Sequence, residues 1–164
     1  MNKLVRMVMM AMSLLTAVWA LPASAASTIF IVRHAEKVDE SRDPLLSERG
    51  MQRAQSLAQH LRDAGIRKIY VTEFQRTRLT ATPLAELSQV ALTPYAAKES
   101  GTLSELLQNE TGNVLVVGHS NTVATIATAL GVRDVKPVAD DEYDRLIVIH
   151  LQDGKAPAMT ILRY

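Results

Sequence analysis

Two short apolar runs constrain this chain most. Ile29-Phe30-Ile31-Val32 and Val114-Leu115-Val116-Val117 are rich in β-branched residues and too brief for core helices. They read as strands buried inside a sheet. Each ends in groups that bind anions: Arg33-His34 after the first, Gly118-His119 after the second. In open α/β sheets, ligands bind beyond the carboxyl ends of the strands, where these residues would sit. Two imidazoles and an arginine at one sheet edge point to phosphoryl chemistry.

The segments between those runs alternate strand and helix. Thr28 to Arg33 is the first expected strand, and Asp39 to Leu46, polar and containing Pro44, is a loop. Ser47 is the expected N-cap of a helix reaching about Ala64, with Glu48 favourable in its first turn. Met51, Ala54, Leu57, Ala58 and Leu61 share one face of that helix at three- and four-residue spacing, and Gly65 closes it. Ile69-Tyr70-Val71 is a short strand, and a helix follows from about Gln75 to Leu87 that Pro83 should kink or break. Ala91 to Tyr95 is a minor strand, Leu103 to Gln108 a short helix and Asn113 to Gly118 a central strand. Thr122 to Leu130 is a well-buried helix ended by Gly131. Leu146 to Leu151 and Ala158 to Leu162 form a hairpin through Asp153-Gly154. The pattern is one α/β domain.

The first 25 residues stand apart from that pattern. Lys3 and Arg6 precede an uncharged apolar stretch, Met7 to Leu21, and Ala23-Ser24-Ala25 supplies a small-x-small cleavage site. That is a signal peptide, too short in its apolar core for a membrane anchor and expected to be cut after Ala25. Of 164 residues, 139 then remain (26–164), and the formal charge moves from +1 to −1 with the loss of Lys3 and Arg6. No basic surplus is left for nucleic acid or, once the leader is cut, for an anionic membrane. The chain has no cysteine, which excludes thiol chemistry and disulfides, and an exported chain of this kind fits the periplasm.

A neutral histidine nitrogen is a competent nucleophile toward phosphorus, and arginine supplies the planar paired donors that phosphoryl oxygens need. A second histidine stabilises charge on the transferring group when it donates. Arg33, His34, Arg76 and His119 fill these roles, each close behind an expected strand. No spacing of metal-ligating residues is present and no cofactor is implied.

These residues lie in three of four blocks, Ile31 to Lys37, Pro44 to Gly50, Val71 to Thr77 with Thr80-Ala81, and Val116 to Ser120, the second holding none of them. The blocks resemble, in order, the motifs of the histidine phosphatase superfamily, the phosphoglycerate-mutase-like group, with Ala35 where many members carry glycine. The resemblance implies a three-layer α/β sandwich around a mostly parallel sheet. It also implies His34 as the phosphorylated nucleophile, a phosphate pocket of Arg33, Arg76 and His119, and a small phosphorylated substrate. The general acid has no clear motif. Glu73, just before Arg76, and Glu142, before the strand that starts at Leu146, are the leading candidates, and relatives acting on phosphohistidine need no strong acid because imidazole leaves easily. Two other readings stand beside hydrolysis on His34. One is a binding module that holds a phosphorylated ligand without turnover. The other is a serine hydrolase built on Gly118-His119-Ser120, with Ser120 as nucleophile and His150 as the only histidine after it.

Overall fold

The computed structural model describes residues 26–164, so the leader and its cleavage site lie outside the described residues. Within them, the strands β1 (Ala26–Arg33), β2 (Ile66–Thr72), β3 (Leu92–Tyr95), β4 (Gly112–Gly118), β5 (Arg145–Gln152) and β6 (Ala158–Arg163) make one sheet in the order β3-β2-β4-β1-β5-β6. The first four run parallel. β5 lies antiparallel against β1, and β6 antiparallel against β5. The expected hairpin is there, turning through Gly154 at φ +71°.

Strand alternation divides the core into two layers. Ile29, Ile31, Val114, Val116, Ile147 and Ile149 pack on one face with α3 (Ser100–Gln108) and α4 (Ser120–Ala129). Val32, Leu115, Val117, Leu146 and Val148 pack on the other with α1 (Glu48–Leu61) and α2 (Gln75–Ser88). This is a three-layer sandwich, helices over both faces of a mostly parallel sheet. No helix of the described residues is long and apolar enough to cross a membrane.

Local chemistry sets the helix starts. The Ser47 hydroxyl accepts from Gly50 N at 3.1 Å, capping α1 as expected,. Ala54, Leu57, Ala58 and Leu61 make the buried face as expected, and its first position differs. Met51 is 55% exposed and Gly50 is buried in its place. A Cβ on Gly50 would sit 2.2 Å from the Glu36 carbonyl oxygen, so the helix presses its bare backbone against the β1–α1 loop there,. Pro83 does not end α2, which continues to Ser88. Pro94 is accommodated because β3 is an edge strand,.

Candidate active site

The parallel register of β1 and β4 pairs Arg33 with Gly118, so both chains leave the sheet at the same level. His34 N then donates to Gly118 O at 2.9 Å, extending the ladder by one bond. Adjacent strands lie about 5 Å apart, and the two following side chains meet accordingly: the His34 and His119 ring centroids are 5.4 Å apart. β2, on the other side of β4, ends at Thr72 and turns into α2, whose second residue is Arg76. Its guanidinium Nη2 lies 3.5 Å from His119 Nδ1. Arg33, His34, Arg76 and His119 are therefore brought together, lining a cavity of about 540 Å³ with Lys37, Arg42, Phe74, Lys98 and the first turn of α4.

Hydrogen bonding fixes the tautomer of His34. His34 Nδ1 lies 2.8 Å from the Ala35 carbonyl oxygen. A carbonyl only accepts, so Nδ1 carries the proton and Nε2 keeps the lone pair. Burial, reinforced by His119, Arg33 and Arg76 and opposed by the Ala35 bond, pushes the His34 imidazole down to about 3. Burial and then Arg76 bring His119 down to about 4, with Glu73 pulling the other way. Both rings are neutral near pH 7. Ala35 fits without strain, since its backbone does not adopt positive φ and its N–H donates to Thr80 Oγ1 at 2.9 Å.

Both arginines are held by backbone and aromatic partners rather than by close carboxylates. Arg33 Nη1 donates to Ala139 O at 2.9 Å and Asp140 O at 2.8 Å, and its guanidinium carbon lies 4.2 Å over the Tyr143 ring. Arg76 Nη1 donates to Arg42 O at 3.3 Å, stacks 4.2 Å over Phe74 and stands 3.9 Å from Asp43. Each keeps a buried Nε–H without a partner. A buried donor left unpaired costs about 1–3 kcal/mol, and both belong to arginines that line the cavity. The start of α4, with Ser120 and Asn121 on the cavity wall, adds helix N-terminal amides to the same wall,.

The candidate acids separate. Glu142 is not in the cavity: Arg145 and Arg163 clasp its carboxylate, and Ala139 N donates to it. Those bonds, Arg145's first, hold it at about 2, which leaves no proton to give at neutral pH. Glu73 is exposed on the turn between β2 and α2, with an oxygen accepting from Ala97 N at 2.9 Å. Its charge is felt by both His119 and Arg76. Ser120 lines the cavity, but His150 pairs with Thr28 on β1, five residues from Arg33 and thus about 17 Å along the strand from the pocket,. No serine–histidine pair forms there. Among the described residues no three metal-ligating side chains gather.

Sequence reasoning did not single out Thr72, Tyr143, Arg42 or Lys98. Thr72 carried a usable signal, a hydroxyl at a strand end four residues before Arg76. Tyr143 carried none, because its loop reaches Arg33 from more than a hundred residues away in sequence.

A family model described as the histidine phosphatase superfamily (branch 1) matches residues 29–99. No curated protein matches the chain significantly. Among solved structures, the protein histidine phosphatase SixA complexed with tungstate is 17% identical, with a TM-score of 0.65 over 83% of this chain and 96% of that one. A mycobacterial glucosyl-3-phosphoglycerate phosphatase is 14% identical, TM-score 0.66, over 85% and 98%. A phosphoglycerate mutase from Plasmodium falciparum is 16% identical, TM-score 0.62, over 83% and 89%. At these identities the structural likeness speaks to the fold, and the matched family span carries Arg33, His34 and Arg76. The family match over residues 29–99 and the fold of the described residues both point to the histidine phosphatase superfamily as what this chain is similar to.

Proposed function

We propose that the protein is a metal-independent phosphatase that hydrolyses phosphate monoesters or phosphohistidine through a phosphohistidine intermediate on His34. The observation that carries this reading is the pairing of a neutral His34, its Nε2 lone pair set by the Nδ1 bond to Ala35, with two arginines whose buried Nε–H groups have no partner. Nε2 attacks phosphorus, a P–N bond forms, and the bond to the leaving oxygen or nitrogen breaks with its electron pair. Arg33, Arg76 and His119 stabilise the charge on the non-bridging oxygens. Water then attacks phosphorus, the P–N bond breaks, and the electron pair returns to Nε2.

Glu73 is the carboxylate we assign to proton transfer, because Glu142 is held ionised by its arginines. Glu73 is exposed and already accepts from Ala97 N, so substrates with good leaving groups, which need little proton assistance, suit the site best. Phosphohistidine and aryl phosphates are such substrates, and the likeness to a protein histidine phosphatase supports the first. The leader read in residues 1–25 supports a periplasmic location, with the substrate found there too,.

His34→Ala should abolish hydrolysis of an aryl phosphate while leaving the fold intact. Quenching wild type during turnover should trap acid-labile, alkali-stable phosphate on His34. Wild-type turnover in the variant sinks the mechanism, phosphate on Ser120 favours the serine reading, and tight binding with no turnover in wild type favours a binding module.

A further inference from the structure

Both nitrogens of His119 face partners whose hydrogen-bonding sense is fixed. Nδ1 lies 3.5 Å from Arg76 Nη2, and a guanidinium only donates,. Nε2 lies 3.1 Å from Thr72 Oγ1. That hydroxyl is 2.9 Å from Thr77 Oγ1, which in turn lies 2.8 Å from the Phe74 carbonyl oxygen, a group that only accepts. One arrangement satisfies the whole series: His119 Nε2–H donates to Thr72, Thr72 to Thr77, and Thr77 to Phe74 O. The reverse sense sets an N–H of His119 against an N–H of Arg76 and takes the Thr77 proton from Phe74 O. Thr72 and Thr77 are fully buried, so solvent does not substitute for either.

We propose that Thr72 is a positioning residue for His119, holding the proton on Nε2 and turning Nδ1 toward the phosphate pocket. This rests on the phosphatase reading above. The charged and titratable groups acting on His119 are Arg76 on α2, Arg33 and His34 at the end of β1, and Glu73 on the β2–α2 turn. Without ligand, burial first and then the arginines keep the ring neutral, and Nδ1 accepts. A phosphate dianion between the arginines offsets their charge, and Nδ1 takes up one proton from buffer to become a donor to a phosphoryl oxygen. Nε2–H stays on Thr72 throughout, so the hydroxyl pair serves both protonation states.

Long-range proton–nitrogen NMR on the 15N-histidine-labelled protein tests this directly. Without ligand, His119 should be the Nε2–H tautomer at pH 7. With saturating inorganic phosphate, both its nitrogens should be protonated. Thr72→Val should shift the ring toward Nδ1–H and lower kcat on an aryl phosphate roughly ten- to a hundredfold, the scale for groups that orient a functional histidine, with a smaller change in KM. Thr72→Ser should restore the tautomer and most of kcat. An Nδ1–H tautomer in unliganded wild type overturns the proposal whatever the variants do. So does a Thr72→Val protein that keeps both the Nε2–H tautomer and full kcat. Absence of covalent phosphate on His34 would instead sink the phosphatase reading, and the unliganded tautomer would still be read.

Discussion

Arginines appear in two settings in this protein, and their contrast separates scaffold from site. Arg53 meets Glu36 through both Nε and Nη2, at 2.7 to 3.0 Å, and also donates to Tyr164 O. Arg145 meets Glu142 in the same way, and Arg163 adds a bond from Nη1. In these clusters each cation faces a close carboxylate, and the result is mechanical: the β1–α1 loop is tied to α1, and the loop before β5 is tied to β5 and β6. Arg33 and Arg76 have carbonyls, aromatic rings and one distant carboxylate instead, and each has an unpaired Nε–H. Compensated charge holds chain segments together, whereas uncompensated charge waits for a ligand.

The contrast can be broken most sharply at Arg76. Arg76→Ala should cost about 3 kcal/mol of transition-state stabilisation, roughly a hundredfold in kcat/KM on an aryl phosphate. Arg76→Lys should recover only part, because an ammonium lacks the planar fork. A change in KM alone would show that Arg76 merely seats the ligand.

Glu142→Gln should do the opposite, costing about 2 kcal/mol of stability by urea denaturation and sparing turnover. Its pH dependence carries a sign. A carboxylate at about 2 when folded and near 4.5 when free contributes stability above pH 4.5 that is lost as pH falls toward 2,. The variant should lack that loss. His34 and His119, at about 3 and 4 when folded against 6.5 when free, bind protons only after the unfolded chain does. Stability should therefore also fall from pH 6.5 downward, equally in wild type and variant. Large loss of kcat in Glu142→Gln would return that residue to the candidate acids. The smallest effect belongs to His150→Ala, on an exposed face at the far end of the sheet, with activity and stability within about 0.5 kcal/mol of wild type. A collapse of activity there would revive the serine reading.

Much of the fold was legible because its signals are local. The β-branched runs, the Ser47 cap and the turn glycines each act within a few residues, and they place the strand ends that carry Arg33, His34, Arg76 and His119. The departures have non-local causes. Gly50 replaces Met51 on the buried face because a distant loop backbone lies against it, and Pro83 stays inside α2 because helix packing outweighs one missing donor. Glu142 was a candidate acid on chain position alone, but two arginines, one of them in β6, decide its charge.

By itself, then, the sequence determined which side chains reach the carboxyl edge of the sheet, since period and strand length set that edge. Only the tertiary structure decided what state they are in. The orientation of His119 and the ionisation of Glu142 depend on contacts with residues 47 and 21 positions away in sequence, and electrostatics and hydrogen bonds act through those distances.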